Sequence, residues 1–266
     1  MTGVAAFRPD SARVGSVRPS PNHGERLGPG RPDALVLHYT GMRDGAAAVA
    51  WLCAPASGVS CPYVVEEDGT VLQLVPEARR AWHAGRSFWA GDTDLNSASI
   101  GIEIVNGGHD FGLPDFPDPQ VEAVVELCRD ILARHAIAPE RVLAHSDIAP
   151  DRKQDPGERF PWPRLAEAGV GLWVPPAGDG VEGPGAGAAA DAAAVAAVQA
   201  GLARLGFGIA VTGLEDAATR VVVAAFQRRF RPARVDGVVD AATGDTLARL
   251  LALRFGADRA GLPARA

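Results

Sequence analysis

The segment IGIEIVN, residues 100–106, decides the fold, because its apolar residues alternate as they do in a β-strand. Its three isoleucines fall on one face of that strand, and Glu103 falls on the other face. The apolar content predicts a central strand, where a carboxylate is costly unless it has a partner or a chemical task. The alternative is that Glu103 lies on a solvated edge strand.

Four further apolar runs predict neighbouring strands, and two longer segments have the spacing of amphipathic helices. The segment EEDG, residues 66–69, predicts a hairpin turn between two of the strands. The predicted strands lie near residues 34–38, 63–66, 71–74 and 142–144, and the predicted helices at 46–52 and 119–135. The sequence therefore predicts an α/β fold with a mixed central β-sheet flanked by helices.

Two histidines stand where predicted strands end, and a carboxylate follows them. His38 comes directly after the apolar run 34–37, and His145 comes after the run that ends at residue 144. Asp155 lies in the segment HSDIAPDRKQDPG, which has almost no helix or strand periodicity. Two imidazoles and one carboxylate suit a catalytic zinc ion that keeps one position open, although they also suit iron in oxygenases. The sequence therefore predicts a metal site at these three residues.

Glu103 and Lys153 are the candidates for proton transfer and charge stabilisation at this site. Burial raises the pKa of a carboxyl group toward neutrality, which would let Glu103 take a proton from water and deliver it to a leaving nitrogen. Lys153 could stabilise the oxyanion that forms when an amide carbonyl becomes tetrahedral. The alternative for Lys153 is an ordinary surface lysine.

Five motifs follow one another in a fixed order and carry a family resemblance. They are LVLHYTG, SCPYVVEEDGTVLQLVPE, AWHAG, NSASIGIEIVN and HSDIAPDRKQDPGERFPW. The chain from about residue 34 to residue 173 resembles the zinc-dependent N-acetylmuramoyl-L-alanine amidases of the type 2 amidase family, which are related to the peptidoglycan recognition proteins. We set the boundaries of this predicted catalytic domain at residues 33–173.

The resemblance implies that His38, His145 and Asp155 bind one zinc ion per chain, with Glu103 as the catalytic acid and base and Lys153 assisting the transition state. The implied reaction hydrolyses the amide bond between N-acetylmuramic acid, or its 1,6-anhydro form, and the L-alanine of the stem peptide, in peptidoglycan recycling or turnover. The alternative function is a non-catalytic protein that recognises peptidoglycan or muropeptides. Such binders usually lack one zinc ligand, whereas this chain has all three.

The resemblance also points to a substrate cleft around the segment RAWHAGRSFW, residues 80–89. A histidine flanked by tryptophan and arginine can offer stacking, hydrogen bonds and charge to a sugar-peptide ligand. For the aromatic residues, anchoring of the loop on the sheet is the alternative. The predicted substrate-binding residues are His83, Tyr39, Trp82, Arg86 and Asn96.

The last third of the chain differs in composition from the predicted catalytic domain. Residues 174–192 are rich in Pro, Gly and Ala and predict a linker. Three amphipathic stretches at 195–205, 216–230 and 241–253 then predict a small three-helix module over residues 193–257. This module resembles the peptidoglycan-binding domain 1 family, which implies peptidoglycan fragments or the sacculus as the partner.

Charge and composition limit the remaining possibilities. The 32 acidic and 26 basic residues give a net charge of −6, which argues against a nucleic-acid partner. We find no apolar run long enough to span a membrane. Residues 1–32 lack the apolar core of a secretory signal, so they predict a loose N-terminal extension and a cytoplasmic location, with the envelope as the alternative. We expect a monomer whose three cysteines are free thiols, with a bridge between Cys53 and Cys61 as the alternative.

Overall fold

A six-stranded mixed sheet forms the centre of the computed structural model, which describes residues 7–28, 30–178 and 191–256. Its strands are ordered β1-β5-β4-β7-β3-β8, and β2 pairs with β6 in a separate two-stranded sheet. The strands are β1 (Ser16–Val17), β2 (His23–Glu25), β3 (Ala34–Tyr39), β4 (Tyr63–Val65), β5 (Val71–Gln73), β6 (Arg79–Ala81), β7 (Ser99–Ile104) and β8 (Val142–Ala144).

Eight α-helices surround the sheet and form the C-terminal module in the described part of the chain. They are α1 (Gly45–Leu52), α2 (Leu95–Ala98), α3 (Asp118–Arg134), α4 (His145–Ile148), α5 (Trp162–Glu167), α6 (Ala192–Leu205), α7 (Ala217–Phe230) and α8 (Ala241–Phe255). The predicted α/β fold with a C-terminal three-helix module is confirmed.

Strand β7 occupies the interior of the sheet, as its alternating isoleucines predict. It pairs in parallel with β3 on one side and with β4 on the other, so Glu103 does not lie on an edge strand. The isoleucine face of β7 packs into an apolar core with Val124, Leu127 and Ile131 of α3. The parallel pairing of β7, β3 and β8 brings the carboxyl ends of these three strands to the same edge of the sheet.

The N-terminal residues that the structure describes are folded onto the catalytic domain, so the expectation of a loose extension is wrong for residues 7–28. Strand β1 extends the central sheet beside β5. Arg26 is buried and donates hydrogen bonds to the carbonyls of Ser97 (2.6 Å) and Ser99 (2.9 Å). The polar composition of this segment predicts little burial of apolar surface, and on that ground no fixed structure. The segment is instead held by polar side chains that donate hydrogen bonds to backbone carbonyls.

The three C-terminal helices share a hydrophobic core with the catalytic domain. Trp89, Leu143 and Ile148 of the catalytic domain pack in one cluster with residues of α6, α7 and α8, such as Leu205 and Phe226. Most of the predicted linker, residues 179–190, lies outside the described residues. The proposed domain boundaries remain a prediction, although the two parts clearly pack against each other.

Two sequence expectations concern thiols and membranes. Cys53, Cys61 and Cys128 are free cysteines, as expected. Within residues 7–28, 30–178 and 191–256, no helix combines the length and the apolar character that a membrane crossing requires.

Candidate metal centre and active-site pocket

Three buried side chains converge at the carboxyl ends of β3 and β8. His38 lies near the end of β3, His145 opens α4 directly after β8, and Asp155 reaches them from the following loop. The Nδ1 atoms of the two histidines are 2.9 Å apart. Oδ2 of Asp155 lies 3.1 Å from Nδ1 of His38 and 2.9 Å from Nδ1 of His145. The structure therefore brings together the three residues that the sequence predicts as ligands.

The hydrogen-bond partners of the outer ring nitrogens let us assign the tautomers. Nε2 of His145 lies 3.2 Å from the carbonyl oxygen of Ala84, which can only accept, so Nε2 carries the hydrogen of the neutral ring. Nε2 of His38 lies 3.0 Å from Nδ1 of His83 and is assigned as the donor. Each ligand histidine then turns an unprotonated Nδ1 toward Asp155.

Electrostatics agree with this assignment. Burial and the neighbouring His145 lower the pKa of His38 to about 4, so this ring is neutral at pH 7. Burial alone would raise the pKa of Asp155, but the neighbouring His145 and His38 hold it well below its usual range, so this carboxyl group is ionised. The cluster therefore brings an ionised carboxylate against the Nδ1 atoms of the two imidazoles.

The cluster fits a metal cation better than it fits a hydrogen-bond network. Its three lone-pair atoms face one another with no hydrogen between the two Nδ1 atoms, an arrangement that is repulsive without a positive charge at its centre. In tetrahedral zinc sites, bonds of about 2.0–2.1 Å place neighbouring ligand atoms about 3.3 Å apart. The separations of 2.9 to 3.1 Å are close to that spacing.

A second group, His38, Cys61 and His83, also has three ligand atoms close together. In this group, the nitrogens of His38 and His83 that face each other already form a hydrogen bond. Burial and the nearby charge of Glu103 raise the pKa of the Cys61 thiol well above its usual value, which disfavours the thiolate that binds metals. We therefore take His38, His145 and Asp155 as the candidate metal centre.

His83 lies behind His38, and both of its ring nitrogens are engaged. Its Nδ1 accepts from His38, and its Nε2 lies 3.3 Å from Oγ of Ser99, which in turn donates to the carbonyl of Leu95. Gly101 makes room for this ring, because a Cβ atom there would lie 2.6 Å from Nδ1 of His83. His83 also borders the pocket, so its predicted role in binding substrate stays a prediction beside its contact with His38.

Glu103 lies beside His38 because the two residues are register partners in β7 and β3. Burial and the charge of Asp155 raise the pKa of Glu103 well above its usual value, and Lys153 opposes this shift to a smaller extent. One carboxylate oxygen of Glu103, Oε2, is buried and has no hydrogen-bond partner. A carboxyl group with a raised pKa and an unpartnered oxygen is suited to exchange a proton with a bound reactant.

A pocket of about 480 Å³ that is open to solvent gives access to these groups. It contains most of the predicted residues together with an apolar side that was not predicted from the sequence. The predicted residues that line it are Tyr39, Trp82, His83, Glu103, His145, Lys153 and Asp155, and the additional ones include Met42, Trp51, Val59, His109 and Asp110.

Two residues predicted to bind substrate do not line this pocket. Arg86 is exposed and pairs with Asp151 at the surface. Asn96 is buried, and its Oδ1 accepts hydrogen bonds from the backbone N–H groups of His83 (2.9 Å) and Ala84 (2.7 Å). Asn96 therefore fixes the loop that carries His83, and the two substrate-binding predictions are not supported by these positions.

His109 is a pocket residue outside the set of residues predicted from the sequence. Its Nδ1 lies 3.0 Å from the hydroxyl of Tyr39, and its Nε2 lies 3.0 Å from Glu158. The preceding Gly108 has φ +65°, and a Cβ atom there would lie 2.4 Å from the Tyr39 ring. The glycine pair before His109 was the available signal, because glycine permits this close approach.

Comparison with known proteins gives two family matches. The family model described as N-acetylmuramoyl-L-alanine amidase matches residues 28–158, and a peptidoglycan binding domain model matches residues 191–247. Among characterised sequences, the N-acetylmuramoyl-L-alanine amidase AmiD of Escherichia coli is 39% identical over 241 residues, which are 86% of this chain and 85% of the relative.

Two solved structures share the fold over nearly the whole chain. One is AmiD from E. coli in complex with the substrate anhydro-N-acetylmuramic acid-L-Ala-D-gamma-Glu-L-Lys, with a TM-score of 0.70, 37% identity, and coverage of 88% of this chain and 93% of that one. The other is AMPDH3 from Pseudomonas aeruginosa in complex with anhydromuramic pentapeptide, with a TM-score of 0.69, 30% identity, and coverage of 95% and 99%.

Proposed function

Because the chain belongs to the N-acetylmuramoyl-L-alanine amidase family, we propose that it hydrolyses the amide bond between 1,6-anhydro-N-acetylmuramic acid and the L-alanine of a peptide stem. The corresponding bond of ordinary N-acetylmuramic acid is the second substrate of the same reaction. The products are the free sugar acid and the free stem peptide, as in peptidoglycan recycling or turnover. One zinc ion per chain would be held by His38, His145 and Asp155.

The register of three parallel strands is the observation that carries this proposal. It places His38 opposite Glu103 across β3 and β7, and it places Leu37 opposite Ala144, the residue before His145. Two metal ligands and a proton carrier thus meet at one edge of the sheet, in a pocket open to a ligand. This combination is what metal-assisted amide hydrolysis requires.

The protein groups have separate tasks in the reaction. When bound, a zinc ion supplies a Lewis acid beside the scissile carbonyl and makes the attacking water more acidic. Glu103 takes the proton of that water and passes it to the departing amine of L-alanine. Lys153, which also lines the pocket, donates to the oxygen that becomes negatively charged as the carbonyl turns tetrahedral.

The apolar side of the pocket suits the sugar end of such a substrate. Trp51 is 52% exposed there, and Trp82 lines the same pocket. Indole rings stack on the apolar faces of sugars and still leave their N–H groups free for hydrogen bonds. The relatives whose complexes contain anhydromuramyl peptides support this class of ligand.

A non-catalytic recognition protein is the alternative that the sequence left open. The convergence of all three ligands beside an unpartnered Glu103 favours catalysis, because a binding protein needs neither the cation nor the proton carrier. A cytoplasmic location, with soluble fragments rather than the sacculus as substrate, remains a prediction that cell fractionation would test.

Release of stem peptide is the test of the proposed function. Zinc-loaded protein is incubated separately with a 1,6-anhydro-muropeptide and with intact sacculi, and the free peptide is measured by mass spectrometry. We expect release from the anhydro-muropeptide that a chelator abolishes and that Glu103→Ala nearly abolishes. Additional release from sacculi would indicate a wall-degrading role, whereas release from neither substrate would contradict amidase activity and favour the recognition protein.

A further inference from the structure

Arg229 of α7 reaches from the C-terminal module into the catalytic domain. The side chain is buried, and its guanidinium stacks 3.9 Å from the centre of the Trp162 ring. Its Nη1 donates to the Val142 carbonyl (3.0 Å) and to Oδ2 of Asp147 (2.9 Å), and its Nη2 donates to the Leu172 carbonyl (2.9 Å). A single arginine thus joins three segments of the other domain.

Two of these contacts flank the proposed ligand His145. Val142 opens β8, the edge strand that leads to His145, and Arg229 binds a carbonyl of that strand. Asp147 follows His145 within α4, and its Oδ2 also accepts from the backbone N–H of Ala144 at 2.8 Å. The turn that presents His145 is therefore fixed by one buried carboxylate, and that carboxylate is neutralised from the C-terminal module.

The neighbouring Arg228 reaches the other side of the pocket. It forms an ion pair with Glu158 at 3.4 Å. Glu158 in turn contacts His109, which lies 3.0 Å from the hydroxyl of the pocket residue Tyr39. Two consecutive arginines of α7 therefore contact residues on opposite sides of the candidate active site.

We propose that the C-terminal module is a structural part of the active site, and that Arg229 is a positioning residue that sets the geometry of His145 through Asp147. This inference rests on the proposed function only in assigning His145 as a metal ligand. Outer residues that hold metal ligands typically change metal affinity by about 10–100-fold when they are replaced. Arg229 holds His145 in the same way, although it belongs to a module that resembles peptidoglycan-binding domains.

The test measures the dissociation constant of Zn²⁺ itself, by competition with a chromophoric chelator, on the full chain. We expect Arg229→Met to raise this constant by about tenfold or more, and to lower kcat for the muropeptide at saturating zinc more than it changes KM. Arg231→Met is the matched control, because Arg231 is also a buried arginine at the end of α7 but pairs with Asp240 inside the module. The control is expected to stay within about twofold of the parent chain in zinc affinity.

Arg229→Lys keeps the proposal testable if Arg229→Met does not fold. Lysine retains the charge but cannot bind two carbonyls and a carboxylate in the planar geometry of a guanidinium. We expect a folded protein with weakened zinc binding. Unchanged affinity in Arg229→Lys, or an equal loss in Arg231→Met, would overturn the proposal. A parent chain that binds no zinc would instead contradict the proposed function.

Discussion

Glu103 is the residue on which the proposed chemistry depends most directly. Replacing it with Gln removes the proton carrier but preserves the shape of the side chain, so we expect kcat to fall by about 10²–10⁴-fold. Zinc content should stay at one ion per chain, because Glu103 is not in the ligand set. Turnover and metal analysis of the same preparation check this prediction. Glu122→Gln, on the exposed face of α3, is the control and should keep full activity. A fully active Glu103→Gln enzyme would exclude the proposed role of Glu103.

His83 allows a positioning role to be separated from substrate binding. Its ring accepts from His38 and lies next to Ser99, so His83→Ala leaves the outer nitrogen of His38 without its partner. We expect zinc affinity to weaken by about 10–100-fold, with KM for the muropeptide little changed at saturating zinc. A zinc titration and a Michaelis analysis measure the two effects. A raised KM with normal zinc affinity would instead support the substrate-binding role predicted from the sequence.

The position of a candidate site residue can be predicted from the sequence when local structure alone determines it. His38 and His145 could be singled out because each stands at the end of an apolar run, and Glu103 because it interrupts one. The contacts of Asn96 could not be predicted, since its partners are backbone N–H groups of a loop 12 and 13 residues away in sequence. The pairings of polar side chains with distant backbone groups leave no periodic pattern.

Among the helices, α3 is attached at its C-terminal end by a buried carboxylate. Glu77 accepts hydrogen bonds from Arg134 (2.8 Å) and from the hydroxyl of Tyr63 (2.6 Å), and it lies 2.7 Å from Nε2 of His135. Burial alone would raise the pKa of Glu77, but these partners lower it to about 2. The ionised side chain therefore stabilises the packing of α3.

This attachment predicts how stability depends on pH. The pKa of Glu77 is lower in the folded than in the unfolded chain, so its contribution is complete above about pH 4.5 and is lost as the pH falls toward 2. We expect Glu77→Gln to lower the free energy of unfolding at pH 7 by on the order of 3 kcal/mol. Below pH 4.5, the free energy of unfolding of this variant should decrease less steeply with falling pH than that of the parent chain. Urea unfolding at several pH values measures both effects. An unchanged acid slope in Glu77→Gln would contradict this account.

Elements with an apolar run or a helical period were predictable, and elements without either were not. The predicted helix 119–135 corresponds to α3, and the predicted strand 100–105 corresponds to β7 within one or two residues. Helix α4 was missed because four residues are too few to show a helical period. Its turn is held by Asp147 and, from the far end of the sequence, by Arg229. Strands β1, β2 and β6 were missed because none of them is an apolar run, whereas the similarly short β4, β5 and β8 were predicted from their apolar residues.

On the scale of the whole molecule, the shared core predicts that both domains unfold together. Separating them would expose Trp89 and Leu143 and would leave the buried Asp147 without the charge of Arg229. We expect one calorimetric transition for the zinc-free chain, with equal calorimetric and van't Hoff enthalpies. Two resolved transitions would mean that the contacts between the domains are weaker than the structure indicates.

The shared core also has a directional consequence. A module tethered only by a flexible linker could meet its polymer at any angle, whereas this one has a fixed orientation relative to the pocket. Any glycan strand held by the module would be presented to the pocket in one polarity and at one distance. The enzyme would then select its cleavage site along the polymer by the distance between the glycan-binding module and the active-site pocket. This selection would act in addition to recognition of the muropeptide itself.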